Sequence, residues 1–293
     1  MFKNASELLT ICDTYNMKIS EVMLKREVQI SGKSVNQVNA NMKRAYSIMK
    51  NAISKSLNQD LVSMGGLIGG EAKKIFNNRT NSVCGELMSR AISYAMGVLE
   101  VNTSMGLIVA APTAGASGVI PAVFVALQEE KNFSEQEMIR ALFNAGAIGY
   151  IITRNATVSG AEGGCQAEVG SASAMAASAV VELMGGSASQ CLEAASTALA
   201  NILGLVCDPI AGLVEAPCQK RNSMGASNAL ISAEITLCGV GNHIPFDETV
   251  EAMLKVGRSM PFELRETALG GLAATPTGCE LCKSAFGDCK GCL

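Results

Sequence analysis

Three glycine-rich segments divide this chain of 293 residues, and they limit what it can fold into. SMGGLIGGEAKK (63–74), APTAGASGVIP (111–121) and SGAEGGCQAEVG (159–170) stand between stretches patterned for helices. Each can expose several backbone N–H groups at the start of a helix, a place that favours an anion such as a carboxylate, a phosphate or an iron-sulfur cluster. None matches the phosphate loop G-x-x-x-x-G-K-[ST], and none follows a clear strand as a dinucleotide fingerprint does, so a nucleotide site has little support. The other use of these glycines is close helix packing. With 29 glycines and 39 alanines, nearly a quarter of the positions carry a side chain of at most one carbon, so helices can approach closely in many places.

Between the glycine-rich segments the period is helical. In 34–52, Val35, Val38, Met42, Ala45, Met49 and Ala52 recur by threes and fours, which puts them on one face of a long helix. Ser134 with Glu137 is a capping box that predicts a helix through Ile148, and Ser187 with Gln190 predicts another through Leu205, stopped by Pro209. Asp247 is the expected cap of a weaker helix, whose apolar face holds Val250, Met253 and Leu254 before Gly257 leaves nothing to bury. Strand-like runs such as Leu107 to Ala110 are too few and scattered for a sheet. The predicted architecture is all-α.

The chain is 48% hydrophobic and 17% charged, which excludes disorder for most of it and allows one large domain with a tail. A net charge of −3 and no basic run interleaved with aromatics argue against nucleic acid. The 27 uncharged positions from Val101 to Leu127 are long enough to cross a bilayer, but Pro112, Pro121 and several polar residues break them, so a buried segment is expected. The N-terminus carries no basic region followed by a long apolar run, and a cytoplasmic protein with no membrane contact is predicted.

A reducing cytoplasm makes the eleven cysteines informative, because a disulfide framework is not favoured there. Cys12, Cys84, Cys191 and Cys238 lie in helical patterns and are expected to pack as small apolar groups. Cys165 closes a glycine-rich loop, Cys207 is expected to end a helix before Asp208-Pro209, and Cys218 follows Pro217. Each stands at a break where a thiolate can turn toward a common centre. Three such thiolates would suit a [4Fe-4S] cluster with one iron open as a Lewis acid, with N–H groups of Gly163 and Gly164 available to its sulfides.

At these residues the chain resembles the iron-sulfur-dependent L-serine dehydratases, specifically the alpha subunit of the two-subunit form. The likeness runs from SMGGLIGGEAKK through APTAGASGVIPA, SGAEGGCQAEVG and CDPIAGLVEAPCQKRN to SMPFELRETALGGLAATPTG. It implies a helical catalytic domain over 1–278, with its glycine-rich loops around a buried cluster site, and a Cys-rich tail over 279–293. It further implies a [4Fe-4S] cluster on Cys165, Cys207 and Cys218, deamination of L-serine to pyruvate and ammonia, and no pyridoxal phosphate. Cys279 holds the place of a C-terminal cysteine that covers the fourth iron at rest. The larger single-chain members carry an extra domain with a histidine motif that is missing here, so a separate beta subunit is the expected partner.

Elimination from serine needs help for a poor leaving group and a base for the Cα proton. Thr113, Gly115 and Ser117, with Lys73 or Arg221, are the expected binders of the substrate carboxylate. The only histidine, His243, is read as a loop residue, which leaves the base to the beta subunit or to Lys73 or Lys74 with a pKa lowered by burial. A lyase for cysteine or another β-substituted amino acid and a non-catalytic iron-sulfur or zinc protein remain as alternatives. The ending GCELCKSAFGDCKGCL departs from the family pattern: its two C-x-x-C pairs, six residues apart, could wrap zinc, in which case Cys279 could not also cap the iron.

Overall fold

The structure, a computed structural model, describes residues 1–287. Among these residues the regular structure is helical, with no strand beyond one isolated bridge between Cys207 and Arg265. The helices run in order as α1 (Ala5–Tyr15), α2 (Ile19–Ser31), α3 (Val35–Asn58), α4 (Glu71–Asn77) and α5 (Gly85–Thr103). Next come α6 (Val119–Lys131), α7 (Glu135–Asn155), the single turn α8 (Gly160–Gly163) and α9 (Ser171–Leu183). The chain continues with α10 (Ala188–Ala200), α11 (Cys218–Leu237), α12 (Phe246–Ser259) and α13 (Pro276–Phe286). The all-α expectation holds.

Helix α9 is the hub. Every residue from Ser171 to Glu182 is buried, and α6, α7, α10 and α11 pack around it. A helix buried on all sides must present short side chains if several neighbours are to approach it, and SASAMAASAVVEL does so. Gly149 of α7 shows the closeness: a Cβ there would lie 2.8 Å from Met175 Cε. Helix α5 forms a second layer against α11, α6, α4 and α3.

The long helix expected from 34–52 is α3, which runs on to Asn58 and opens on Ser34 as its cap. Its buried stripe is Val38, Tyr46, Met49, Ala52, Ile53 and Ser56, while Val35 is exposed at the first turn. Helix α7 passes Ile148 to reach Asn155, because Ile151 and Ile152 continue the buried face. Helix α10 stops earlier than expected, at Ala200. The chain tightens through 201–204 to Gly204, at φ 85°, whose N–H goes to Gln166 Oε1, so Pro209 is not what ends the helix.

Two further expectations are corrected. Cys12 and Cys191 are buried, but Cys84 and Cys238 flank α5 and α11 at their ends and are exposed. Asp247 does not cap its own helix, which opens after Pro245; its carboxylate accepts from Ala5 N at 2.8 Å and Ser6 N at 3.0 Å, at the head of α1. Gly257 is buried as well. A Cβ there would meet Gly163 Cα at 2.7 Å, so the missing side chain is what lets α12 cross the loop that carries Cys165.

The uncharged run from 101 to 127 is the end of α5, a loop and the buried start of α6. No helix among the described residues is long and apolar enough to cross a membrane. The boundary expected after residue 278 falls inside α13, which carries Cys279 and Cys282; Cys289 and Cys292, and with them the four-cysteine zinc reading, lie outside the described residues.

Because Asp247 and the Asn4 side chain together satisfy the first amides of α1, Asp247→Ala should destabilise the chain by about 1–2 kcal/mol, as loss of a helix cap does. A thermal melt would show it, with Asp247→Asn falling between the two. An unchanged melting temperature would remove this cap from the account of α1.

Candidate active site

Breaks in the helices carry Cys165, Cys207 and Cys218, and the first two of these cysteines meet at one place. Cys165 follows Gly164, held at φ 74°, and precedes a π-helical turn over Gln166–Gly170 that leads into α9. Gln166 fixes this loop: its N–H bonds to Leu205 O, its Oε1 accepts from Gly204 N, and its Nε2 donates to Met253 O of α12. Cys207 is not at a helix end but in the bridge, with its N–H on Leu264 O at 2.8 Å and its carbonyl accepting from Glu266 N at 2.7 Å. Cys218 is the first residue of α11.

The sulfurs of Cys165 and Cys207 and a carboxylate oxygen of Glu168 all lie within 4.8 Å of one another. Cys165, Cys207 and Cys218 are all buried. The hydrogen bond from Cys207 holds the Cys165 thiol below its ordinary pKa against the cost of burial, helped by Arg221. The same bond, with burial, pushes Cys207 up, and burial pushes Cys218 up. Glu168 is raised by burial, although Thr113 Oγ1 donates to its Oε1 at 2.7 Å. Two glycines admit this carboxylate. A Cβ on Gly115 would come within 3.0 Å of Glu168 Oε1, and one on Gly160 would lie 2.6 Å from Glu168 Oε2 and 3.1 Å from Cys207 Sγ.

Arg221 is one turn into α11 and points back at the same place. Its Nη1 reaches Cys165 Sγ at 3.7 Å and Val206 O at 2.8 Å, while Nη2 pairs with Asp208 at 2.7 Å. Asp208 in turn accepts from Leu272 N at 2.7 Å, which ties the C-terminal segment to this cluster. The guanidinium, expected to meet a substrate carboxylate, is thus engaged with a cysteine and an aspartate.

The anions expected at the first glycine-rich segment are supplied by the chain itself. The buried Glu215 accepts from Gly65 N at 2.6 Å, Leu67 N at 3.0 Å and Ser63 Oγ at 2.7 Å. Farther along, Gly69 N bonds to Glu71 and Ala72 N to Glu100. The second segment is stitched to α11 by Asn222, which accepts from Gly118 N at 2.9 Å and donates to Gly115 O at 2.7 Å and Cys218 O at 3.0 Å.

The remaining residues singled out from the sequence fall as follows. Thr113 and Gly115 line Glu168; Ser117 is buried, with its hydroxyl unpartnered among the described residues. Lys73, on α4, bonds its Nζ to Asp60 at 2.6 Å, and Lys74 is exposed. His243 is exposed in the loop before α12. Cys279 sits in the first turn of α13, which packs on the 210–212 turn just after Cys207.

The sequence alone gives Glu168, Asp208, Glu215 and Asn222 no part in the site. A signal existed for two of them. Cys218, Arg221 and Asn222 are spaced to share one face of a helix, and Glu168 stands three residues after Cys165 within the glycine-rich segment. Glu215 and Asp208 find partners 148 or more and 64 residues away, respectively, which no local pattern encodes.

The family described as "Serine dehydratase alpha chain" matches residues 14–273 of this chain. "Probable L-serine dehydratase, alpha chain" of Bacillus subtilis (strain 168) is 48% identical over 293 residues, which is 99% of this chain and 97% of that one. "L-serine dehydratase, alpha chain" of Peptoniphilus asaccharolyticus is 45% identical, covering 95% of this chain and 96% of its own. "L-serine dehydratase" of Streptomyces coelicolor is 35% identical over 95% of this chain, but only 62% of its own length is matched.

Replacing Glu215 with Ala would leave one buried and two part-buried donors unmet. With about 1–3 kcal/mol for the buried donor and less for the others, a loss of about 2 kcal/mol or more is expected, read as a fall in the urea midpoint. Glu215→Gln, which keeps an acceptor without the charge, should lose less. Equal midpoints for wild type and Glu215→Ala would show that the loop does not depend on this carboxylate.

Proposed function

The chain belongs to the serine dehydratase alpha chain family, and on that premise we propose that it is the catalytic chain of an L-serine ammonia-lyase that forms pyruvate and ammonia. The observation that carries this reading is the convergence of Cys165, Cys207 and Glu168 within 4.8 Å. Buried thiols, with Cys165 held low and Cys207 and Cys218 pushed up, are a donor set for a metal, because metal binding releases their protons and satisfies the sulfurs out of water. Cys165, Cys207 and Cys218 would hold a [4Fe-4S] cluster, which when bound supplies an open iron as Lewis acid for the departing serine hydroxyl. In this reading Cys279 covers that iron at rest.

The chain's own residues do the rest. Arg221 holds the Cys165 thiolate by charge and by hydrogen bond, a role that replaces the substrate contact expected of it. Thr113 and Gly115 stand against Glu168, and with Ser117 of the same loop they would receive the substrate carboxylate. Glu168, fixed by Thr113, is the group of this chain placed to take the Cα proton, whereas Lys73 is turned to Asp60. Loss of the proton and the hydroxyl gives water and aminoacrylate; the enamine becomes an imine and hydrolyses in water without the protein. A separate beta subunit would supply the part that the longer Streptomyces relative carries in one chain. We place the assembly in the cytoplasm.

Anaerobic purification with a beta chain and a pyruvate assay on serine, threonine and cysteine test this reading. Turnover of serine is expected; none, with a cluster present, would overturn it. Cys165→Ala, Cys207→Ala and Cys218→Ala should each abolish both the brown absorbance and the activity. Glu168→Gln should keep the absorbance and lower kcat by about a hundredfold or more, the usual effect of losing a general base. Retained absorbance in any of the cysteine variants would remove that residue from the ligand set.

A further inference from the structure

The first turn of α11 leans on two glutamates from other helices. Gln219, next to Cys218, donates its Nε2 to Glu100 Oε1 of α5 at 3.0 Å and to Glu71 Oε2 of α4 at 3.3 Å. Ala72 N donates to the same Glu100 oxygen at 3.0 Å, and Gly69 N to the same Glu71 oxygen at 2.7 Å. Every one of these donors therefore serves a single oxygen of its carboxyl. Glu100 is 1% exposed, and its Oε2 is buried with no hydrogen-bond partner among the described residues. Half of an ionised carboxylate would then sit out of water with nothing to meet it. A proton on that oxygen removes the charge and gives Glu100 something to donate, and the two carboxyls that ring one amide nitrogen are close enough to share it.

We propose that Glu100 is kept as a neutral carboxylic acid sharing one proton with an ionised Glu71, and that this pair positions Gln219 and with it the turn that bears Cys218. The electrostatics agree. Burial, with the Glu71 charge and hydrogen bond, pushes Glu100 above the ordinary carboxyl range. Burial also pushes Glu71 up, but the N–H groups of Gly69 and Glu71 and the Gln219 amide outweigh it and hold Glu71 low. From α3, Ser56 stands against Gly97, one turn before Glu100, and Lys55 Nζ reaches toward Gly106. From α5 itself, Ser93 bonds to Ala72 O. Among the described residues no cation is paired with either carboxyl.

A group whose pKa is raised on folding contributes stability that is present below its unfolded value and lost as pH rises through the folded one; Glu100 is of this kind. Glu71, held low, contributes stability present above its unfolded value and lost as pH falls through its folded one. The singly protonated pair is thus most stable between the two.

Infrared difference spectra of the full chain, wild type against Glu100→Gln at neutral pH, should show the carbonyl stretch of a protonated carboxylic acid that shifts in D2O. Its absence overturns the neutral acid. Glu100→Gln, neutral at every pH, should fold and lose the fall in melting temperature that the wild type shows as pH rises from the ordinary carboxyl range through the raised Glu100 value; an equal fall in both overturns the shared proton. For positioning, Gln219→Leu should let an alkylating reagent modify Cys218 about tenfold faster, read by mass spectrometry, with the buried Cys191 as an unchanged control. Equal protection of Cys218 overturns that part. None of these readouts needs a bound cluster or turnover, so they stand apart from the proposed reaction.

Discussion

A buried carboxylate is tolerated only where donors meet it, and the start of α11 lies where it does because Glu215 meets three. The loop over 63–67 closes around this side chain, and three residues later the chain enters α11 with Cys218, Gln219, Arg221 and Asn222. The last three of these reach a cysteine loop, two glutamates, an aspartate and the second glycine-rich segment. A glycine-rich loop that could have served an external anion is here the internal partner of the chain's own charge. Its amides fix the place where α11 begins.

The second constraint is volume. Helix α9 accepts neighbours on every side because its residues are mostly alanine and serine, and α7 and α11 approach through Gly149 and Gly225. At Gly225 a Cβ would meet Val169 Cγ1 at 2.6 Å, in the π-helical turn that follows Cys165. Gly257 does the same on the opposite side, against Gly163. Small residues thus press the Cys165 loop between α11 and α12, and a loop held from two sides can keep a thiolate and a carboxyl group close together. Without that confinement, repulsion between Cys165 and Glu168 would favour separation.

Much of the fold was legible because helical signals are local. The capping boxes at Ser34, Ser134 and Ser187 are side-chain bonds three residues long, and the apolar period of α3 is a property of its own sequence. The misread ends and faces have tertiary causes. Helix α10 ends where Gly204 finds Gln166; Asp247 leaves its own helix for α1; and Gly257 reads as a gap until Gly163 is seen against it. The candidate site divides in the same way. Cysteines at breaks can be picked out singly, but Glu168 beside Cys207, or Arg221 between Cys165 and Asp208, depends on segments that meet only in three dimensions.

The bridge between Cys207 and Arg265 sets an order of events during synthesis. Helices α1 to α10 can form and pack from contacts already made, since their neighbours are mostly in the same part of the chain. Cys207, however, has its backbone amide satisfied by Leu264 and its carbonyl by Glu266, and Asp208 waits for Leu272. Until the segment from 264 to 272 has left the ribosome, those groups face water and the cysteines stand in an open loop. The site is therefore completed only when that segment joins helices that have already packed.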